Sequence, residues 1–240
     1  MYEPAEDTWL LSDAVCGDAV RWERGTSLML ELGSGSGGVC TSVLLFLRDR
    51  LHSRPGIDLG GHISAPPMFC LACDLNPHAC RVTASTGLEN GVSAHLDVVQ
   101  CDLLSSMVER LTGSVDLFLF NPPYVPTPAE EVPKPSAFAA EGEEGALLDS
   151  LPAAWAGGEN GRQVIDRALP LLPRLLRKPN VSLEGDAGGV AYWLLLREND
   201  PKGVIRAVEG MGLQGTVIAR RTAANEKLCV ARIQWKLGVE

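Results

Sequence analysis

The 240-residue sequence lacks the features that mark several large classes of protein. No apolar run is as long as a membrane span, the acidic N-terminus is unlike a signal peptide, and no segment repeats. Basic residues are also fewer than acidic ones, and the formal net charge is −9. A surface of that sign is poorly suited to binding the phosphates of nucleic acid. We therefore expect a cytoplasmic protein, with the nucleus as a second compartment, no membrane anchor and a basic protein as partner.

Metal-binding motifs are also scarce. The sequence has seven cysteines, and an odd number without a secretion signal is typical of reduced thiols in a cytosolic protein. Cys70 and Cys73 form a C-x-x-C motif, but no second such motif completes a zinc site. The motif lies in an apolar run that predicts a strand, where residues three apart point to opposite faces. We expect two buried structural thiols and no metal site.

The spacing of apolar and turn residues predicts strands that alternate with helices. The predicted strands are residues 28–32, 69–73, 96–100, 115–120 and 189–196, followed by a hairpin of residues 216–220 and 228–235. The predicted helices are residues 4–20, 39–51, 76–89, 162–176 (interrupted by Pro170 and Pro173) and 201–210. This order indicates an α/β fold with an open, mostly parallel sheet and helices on both faces.

Four groups of polar residues or glycines lie at the carboxyl ends of predicted strands. They are Glu31 with Gly33, Asp74, Asp102 and Asn121. Ligands of open parallel sheets bind at the carboxyl ends of the strands. The four groups are therefore predicted to meet along one edge of the sheet.

The first group contains a glycine turn. Gly33, Gly35 and Gly38 match the pattern G-x-G-x-x-G between a predicted strand and a predicted helix. Glycine permits a tight turn there and lets a cofactor approach the backbone. The pattern alone is weak evidence, and an ordinary glycine-rich loop is the alternative.

The acids after the first three strands indicate which cofactor the turn would bind. Asp74 can accept hydrogen bonds from both hydroxyls of a ribose, which suits NAD and S-adenosylmethionine equally. Asp102 can accept from an adenine amino group, and Glu31 suits an ammonium and a sulfonium better than a pyrophosphate. For each acid the alternative role is a helix cap or a solvated strand end. Together the acids favour an adenosine pocket for S-adenosylmethionine.

The fourth group, Asn121-Pro122-Pro123-Tyr124, ends an apolar strand. A planar NH2 group can attack a methyl on sulfur if two acceptors hold its N–H bonds and turn its lone pair toward the methyl. The side-chain oxygen of Asn121 and the carbonyl of Pro122 could be those acceptors, because the locked φ angles of both prolines fix the carbonyl's direction. Tyr124 could lie against the flat face of the target. Alignment of this kind can contribute on the order of 7–11 kcal/mol without a general base.

Five segments carry a resemblance to a known family. YEPAEDTWLL, ELGSGSG, CDLNPHA, FNPPYVPTP and AAWAGGENGRQVIDRALPLLPRLL are similar to the HemK family of release-factor glutamine methyltransferases, nearest to its eukaryotic and archaeal branch. The resemblance covers nearly the whole chain. It implies a single Rossmann-like class I methyltransferase domain over residues 1–240, with a seven-stranded sheet and residues 4–20 as a lid helix. Relatives carry a further segment before the first motif.

The resemblance also implies an activity and a partner. It implies S-adenosylmethionine as cofactor and N5-methylation of the glutamine in the Gly-Gly-Gln loop of the class I translation termination factor. It implies a heterodimer with a small zinc-binding activator subunit. The implied cofactor contacts are Thr8, Glu31, Gly33, Asp74, Asp102 and Leu103, with Asn121 holding both cofactor and substrate.

Two loops depart from the family pattern by their length. Residues 54–67 and 129–152 are predicted to be mobile loops. The second contains six acids, Glu130, Glu131, Glu141, Glu143, Glu144 and Asp149, against the single Lys134. This loop follows Tyr124 and could steer a basic substrate toward it.

Several other functions share part of this pattern. An adenine N6-methyltransferase acting on DNA or RNA meets the same requirement for a planar amino group, and a protein (histone) lysine methyltransferase is a further alternative. An NAD-dependent oxidoreductase would use the glycine turn, but it needs a proton donor, and no histidine lies at a suitable strand end. A non-catalytic binding module would not depend on Asn121.

Overall fold

The computed structural model describes residues 4–23, 25–52, 68–133, 154–180, 182–183, 185–223 and 226–236. The strands within these residues are β1 (Leu28–Leu32), β2 (Phe69–Asp74), β3 (Leu96–Gln100), β4 (Leu117–Phe120), β5 (Val190–Leu196), β6 (Leu213–Ala223) and β7 (Glu226–Trp235). The helices are α1 (Glu6–Gly17), α2 (Gly38–His52), α3 (Pro77–Glu89), α4 (Gln163–Ala168), α5 (Leu172–Leu175) and α6 (Pro201–Gly210).

The strands form one sheet in the order β3-β2-β1-β4-β5-β7-β6. The strands β1 to β5 run parallel, whereas β7 is antiparallel to β5 and to β6. Leu32, the last residue of β1, lies opposite Cys73 on one side and Phe120 on the other. The carboxyl ends of β1, β2 and β4 are therefore level, and the residues that follow them meet at one edge.

Two apolar clusters, one on each face of the sheet, form the core. Leucines and valines of α1 and α2 pack with Met29 and Leu117 on one face. On the other face, α4, α5 and α6 pack with Leu30 and Phe118. Neighbouring strand residues thus point to opposite clusters, and all four positions of β4 are buried. The predicted α/β fold, a seven-stranded and mostly parallel sheet with helices on both faces, is confirmed.

Most differences from the predicted elements lie at their ends. The interruption predicted within residues 162–176 is confirmed: α4 is followed by a 3-10 turn at Leu169–Leu171, which contains Pro170, and by α5, which begins with Leu172-Pro173, because proline lacks the N–H that a continuous helix uses. The first helix ends at Gly17 and is followed by a 3-10 turn at Ala19–Arg21. The terminal hairpin is longer than predicted, since β6 begins at Leu213 and ends at Ala223, and β7 begins at Glu226.

The two thiols of the C-x-x-C motif point to opposite faces, as predicted. Cys70 packs in the cluster with α1 and α2, and Cys73 packs in the cluster with α4 and α5. Within the described part of the chain, no group of histidines, cysteines and acids is arranged to hold a metal ion. Over the same ranges, no helix combines the length and apolar character needed to cross a membrane.

Most residues of the two predicted loops lie outside the described residues. The loop 54–67 lies outside the described residues, as does 134–152 of the acidic loop. Of the six acids, Glu130 and Glu131 are described, and they form an exposed 3-10 turn with Ala129.

Candidate active site

One cavity of about 240 Å³ opens where the parallel strands end. It is lined by every residue that the sequence assigned to the cofactor or to the substrate: Thr8, Glu31, Gly33, Gly35, Asp74, Asp102, Leu103, Asn121, Pro122, Pro123 and Tyr124. The segments that supply them are far apart in sequence and meet because the strand ends are level. That these residues share one site is therefore a finding, while the role of each stays a prediction.

The glycine turn brings backbone close to two neighbours. Gly35 has a φ of +54°, and its N–H donates a hydrogen bond of 2.9 Å to Oδ2 of Asp74. Gly37 has a φ of +72°, and a Cβ there would lie 2.9 Å from the Cα of Thr83 on α3. Only glycine satisfies both the left-handed backbone and this close approach. The turn therefore packs closely against α3 on one side and lines the cavity on the other.

Asp74 binds the glycine turn and does not cap the next helix. Its Oδ1 accepts from the N–H of Asn76 at 2.8 Å, and Asn76 itself caps α3 by accepting from the N–H of His78 at 2.9 Å. This excludes the helix-cap alternative for Asp74. Burial raises the pKa of its carboxyl. A carboxylate oxygen that accepts one backbone hydrogen bond has a second lone pair for a ribose hydroxyl.

Glu31 is almost fully buried, with 2% of its surface exposed. Its Oε2 accepts from the N–H of Cys40 in the first turn of α2 at 3.1 Å. Burial raises the pKa of Glu31 well above its ordinary value. A buried carboxylate in a cavity wall is stabilised by a cation more than by any neutral group. This arrangement fits the positive charges of S-adenosylmethionine.

Asp102 has a partner that the sequence analysis missed. Its Oδ2 lies 2.6 Å from Nη2 of Arg167 on α4, and Arg167 also lines the cavity. The next residue, Leu103, has a φ of +45°, in the left-handed region that costs a leucine about 1–3 kcal/mol. Strain of this kind is concentrated at functional sites. No sequence pattern pairs two residues 65 apart, so the ion pair could not have been predicted.

The side-chain amide of Asn121 has a hydrogen-bonded nitrogen and, among the described residues, an unpaired oxygen. Its Nδ2 donates a hydrogen bond of 3.0 Å to Oδ2 of Asp7. Its Oδ1 is buried and has no hydrogen-bond partner among the described residues. Because a carboxylate can only accept, Asp7 fixes which end of the amide is the free one. Leaving a buried acceptor unpaired costs about 1–3 kcal/mol, which is typical of a group kept for a ligand.

Tyr124 is buried, and its hydroxyl points toward two acids. The hydroxyl donates to Oδ2 of Asp7 at 3.2 Å and lies 3.5 Å from Oε2 of Glu226, the first residue of β7. The hydroxyl therefore helps to hold Asp7 in place. Contact between the ring and a flat target stays a prediction.

Asp7 is a second residue that sequence reasoning missed. It is 3% exposed and accepts from Asn121, from Tyr124 and from the N–H of Thr8, the last at 2.7 Å. It follows Glu6, and the sequence offers both simply as acids of a first helical turn. The available signal was its place on the apolar face of α1, since Leu10 and Leu11 follow at i+3 and i+4. An acid on a buried face requires a partner.

Thr8 lies in the first turn of α1, beside Gly38 at the start of α2. Its Oγ1 accepts from the N–H of Ala5 at 3.4 Å, and its methyl group would lie 3.3 Å from a Cβ at Gly38. It is thus placed in the cavity wall between α1 and α2. Its contact with the cofactor, and the action of α1 as a lid, stay predictions.

Known proteins resemble this chain in sequence and in structure. No family model matches the chain. It is 37% identical to the human protein named Methyltransferase HEMK2, over 97% of this chain and 88% of that protein. It is 30% identical to a fission yeast protein named eRF1 methyltransferase catalytic subunit mtq2, over 99% of this chain and 90% of that one.

The chain belongs to the HemK family of methyltransferases. A solved structure of the Mtq2–Trm112 complex of E. cuniculi shares the fold, with a TM-score of 0.57, 25% identity and 98% coverage of both chains. As a HemK-family protein, the chain is an S-adenosylmethionine-dependent N-methyltransferase with a Rossmann-like fold. This membership excludes the oxidoreductase alternative.

The described residues fit this cofactor. Glu31 supplies a buried carboxyl group that a cation would keep ionised, Asp74 supplies paired acceptors, and Gly35, at a positive φ, has no side chain to block the turn. Asp102 and Leu103 line the same cavity. These are the residues that would hold the cofactor, and when bound it supplies an electrophilic methyl group on a positively charged sulfur.

Proposed function

We propose that this protein methylates the side-chain amide nitrogen of the glutamine in the Gly-Gly-Gln loop of the class I translation termination factor. The observation that carries the proposal is the buried Oδ1 of Asn121, which has no partner among the described residues. The name of the fission yeast relative and the description of the E. cuniculi complex both assign those proteins to the methylation of eRF1. These descriptions support a termination factor as the substrate.

Residues of the Asn121 turn would orient the target amide. Oδ1 of Asn121 accepts one of its two N–H bonds, and the carbonyl of Pro122 accepts the other. With both N–H bonds held, the nitrogen lone pair faces the cofactor side of the cavity. The amide is a weak base, so orientation and not deprotonation is what these residues contribute before transfer. The nitrogen becomes acidic as it gains the methyl group and then releases its proton.

Asp7 binds the end of the Asn121 amide that does not contact the substrate. By accepting from Nδ2 of Asn121, it prevents the amide from rotating by 180° and presenting a donor to the substrate. A second donor, the hydroxyl of Tyr124, holds the same oxygen of Asp7. The carboxylate of Asp7 therefore accepts two hydrogen bonds, one from Asn121 and one from Tyr124. These bonds hold the Asn121 side chain so that its Oδ1 faces the substrate.

We also propose that the protein works as a heterodimer with a small activator subunit. The E. cuniculi relative is described in complex with Trm112, which supports a second subunit for this chain. That the subunit binds zinc, and that the complex is cytoplasmic with a nuclear fraction, are parts of the same proposal. Purification of the co-expressed pair and metal analysis of the small subunit test it directly.

The activity is tested by transfer of a labelled methyl group from S-adenosylmethionine to the termination factor, using the co-expressed complex. The matched control is a termination factor whose Gly-Gly-Gln glutamine is replaced by leucine. We expect label on the wild-type factor alone, located on the glutamine by peptide mass spectrometry. Equal label on the leucine variant, or label only on histone lysine or on adenine in DNA, would contradict the proposal.

A further inference from the structure

The turn that carries Asn121 cannot be anchored in the usual way. Pro122 and Pro123 have no N–H, so two consecutive residues donate no backbone hydrogen bond. At these two positions the turn can be fixed only through its side chains and through its carbonyl oxygens. Asp7 holds the two side chains that point into the cavity. The carbonyl side of the turn needs donors from another part of the chain.

Asn199 supplies those donors. It lies in the 3-10 turn Arg197–Asn199 after β5, and none of its surface is exposed. Its Nδ2 donates to the carbonyl of Tyr124 at 2.8 Å and to the carbonyl of Asn160 at 2.9 Å. Its Oδ1 accepts from the N–H of Leu196 at 2.7 Å. The amide therefore ties the end of β5 to the back of the catalytic turn, although Asn199 and Tyr124 are 75 residues apart.

The contact between these segments is too close to tolerate a shift. A Cβ at Gly161, where φ is +66°, would lie 1.9 Å from the carbonyl oxygen of Tyr124. A Cβ at Gly157 would lie 2.7 Å from the carbonyl oxygen of Pro123. Backbone therefore packs directly on backbone behind the turn. Hydrogen bonds of 3.0 Å from Val125 N to Trp155 O and of 2.8 Å from Gly157 N to Val125 O continue this packing.

We propose that Asn199 is a positioning residue for methyl transfer. Its amide sets the carbonyl of Tyr124 and, through the chain of the turn, the direction of the Pro122 carbonyl and of Asn121. Asn199 does not line the cofactor cavity, so it acts on the substrate's orientation and not on cofactor affinity. The inference rests on the proposed function for its substrate.

The test is the isosteric change Asn199→Asp in the co-expressed complex. Aspartate keeps the acceptor for Leu196 N, but it places a carboxylate oxygen against the carbonyls of Tyr124 and Asn160 where the donor was. We expect kcat per cofactor-binding site to fall about 100-fold, the effect of a displacement of roughly 1 Å at the reacting atoms. The number of sites is counted by calorimetric titration with S-adenosylmethionine, whose Kd we expect to stay unchanged.

A matched control separates positioning from general stability. Asp116 precedes β4 at the end opposite Asn121, is 5% exposed, and accepts from the N–H groups of Ser27 and Leu28. Asp116→Asn should lower the melting temperature and leave kcat per site unchanged. If Asn199 had only a structural role, Asn199→Asp would behave in the same way. The sample would then contain fewer cofactor-binding sites, and kcat per site would equal that of the wild type.

Each outcome decides the matter. A lower kcat per site for Asn199→Asp with an unchanged cofactor Kd supports the inference, and wild-type kcat per site overturns it. If Asn199→Asp does not fold, Asn199→Ala, which removes the donors without adding charge, is measured and judged by the same two results. A wild-type complex that binds the cofactor but labels no termination factor would instead refute the proposed function.

Discussion

The carboxylate of Asp7 accepts a 3.0 Å hydrogen bond from Nδ2 of Asn121 across 114 residues of sequence. This bond decides which end of the Asn121 amide is left without a partner among the described residues. A carboxylate accepts and cannot donate, so Oδ1 of Asn121 is left as an acceptor. The same atom of Asp7 is held by the hydroxyl of Tyr124. The first turn of α1 therefore fixes the orientation of Asn121.

Replacing Asp7 by asparagine should loosen the orientation of Asn121. An amide at position 7 can donate as well as accept, and it lacks the charge that strengthens both hydrogen bonds. Loss of a hydrogen bond to a charged group costs about 1.5–3 kcal/mol, so we expect kcat to fall about 10- to 100-fold. Steady-state kinetics with Asp13→Asn, an exposed acid of the same helix, as control measure the effect. Equal rates for the two variants would refute the role of Asp7.

Two substitutions separate the hydroxyl of Tyr124 from its ring. Tyr124→Phe removes the hydrogen bond to Asp7 and keeps the ring, so we expect a loss in kcat of about 10-fold for one hydrogen bond to a charged acceptor. Tyr124→Ala also removes the surface on which a flat target could lie, and its loss should be larger. If both variants lose the same activity, the ring contributes nothing to the substrate and only the hydroxyl matters.

The thiol of Cys101 should be the most reactive among the described cysteines near neutral pH. A hydrogen bond from Cys73 lowers the pKa of Cys101 to about 7, whereas burial raises the pKa of Cys80 to about 11. Cys101 also lines the cofactor cavity. Iodoacetamide at pH 7.5 should therefore modify Cys101 first, and S-adenosylhomocysteine should slow it. Peptide mass spectrometry follows both rates, and Cys80 labelled as fast as Cys101 would count against the account.

Affinity for the cofactor should fall as the pH is lowered. Burial raises the pKa of Asp74, so its carboxyl takes up a proton at a higher pH than an exposed aspartate does. The neutral form accepts hydrogen bonds more weakly, and the free energy of cofactor binding becomes less favourable. Calorimetry of Asp74→Asn should show a Kd increased by about 10-fold at neutral pH, or about 1.4 kcal/mol. Its pH dependence should be shallower than that of the wild type.

The matched control for this experiment is Asp97→Asn, an exposed acid on the neighbouring strand β3. We expect wild-type affinity and wild-type pH dependence for this variant. A pH dependence of Asp74→Asn identical to that of the wild type would mean that another group, with Glu31 as the candidate, controls cofactor binding.

Much of this molecule can be predicted from local sequence. The strand from Leu28 to Leu32 and the helix from Pro201 to Gly210 were predicted to the residue, because apolar runs and proline or glycine at their ends mark the boundaries. The convergence of Glu31, Asp74 and Asn121 followed from one rule about the ends of parallel strands.

Contacts between distant segments could not be predicted in this way. Asn199 lies in a short turn without any motif, and its role depends on the carbonyl of Tyr124, which side-chain patterns do not describe. Glu226 of β7 and Arg167 of α4 also line the cavity, and no sequence pattern connects them to it. Only the folded arrangement shows which polar groups meet, because sequence periodicity reports the face of an element and not its neighbours.

The most direct test of the central claim is methyl transfer by Asn121→Ala in the co-expressed complex. Rapid-quench kinetics with labelled S-adenosylmethionine and the termination factor give kcat, and calorimetry gives the cofactor Kd. We predict a loss in kcat of about 1,000-fold or more, since orientation of the amide is the main source of catalysis, while the protein still binds the cofactor. Methyl transfer to the glutamine at the wild-type rate by this variant would contradict the account.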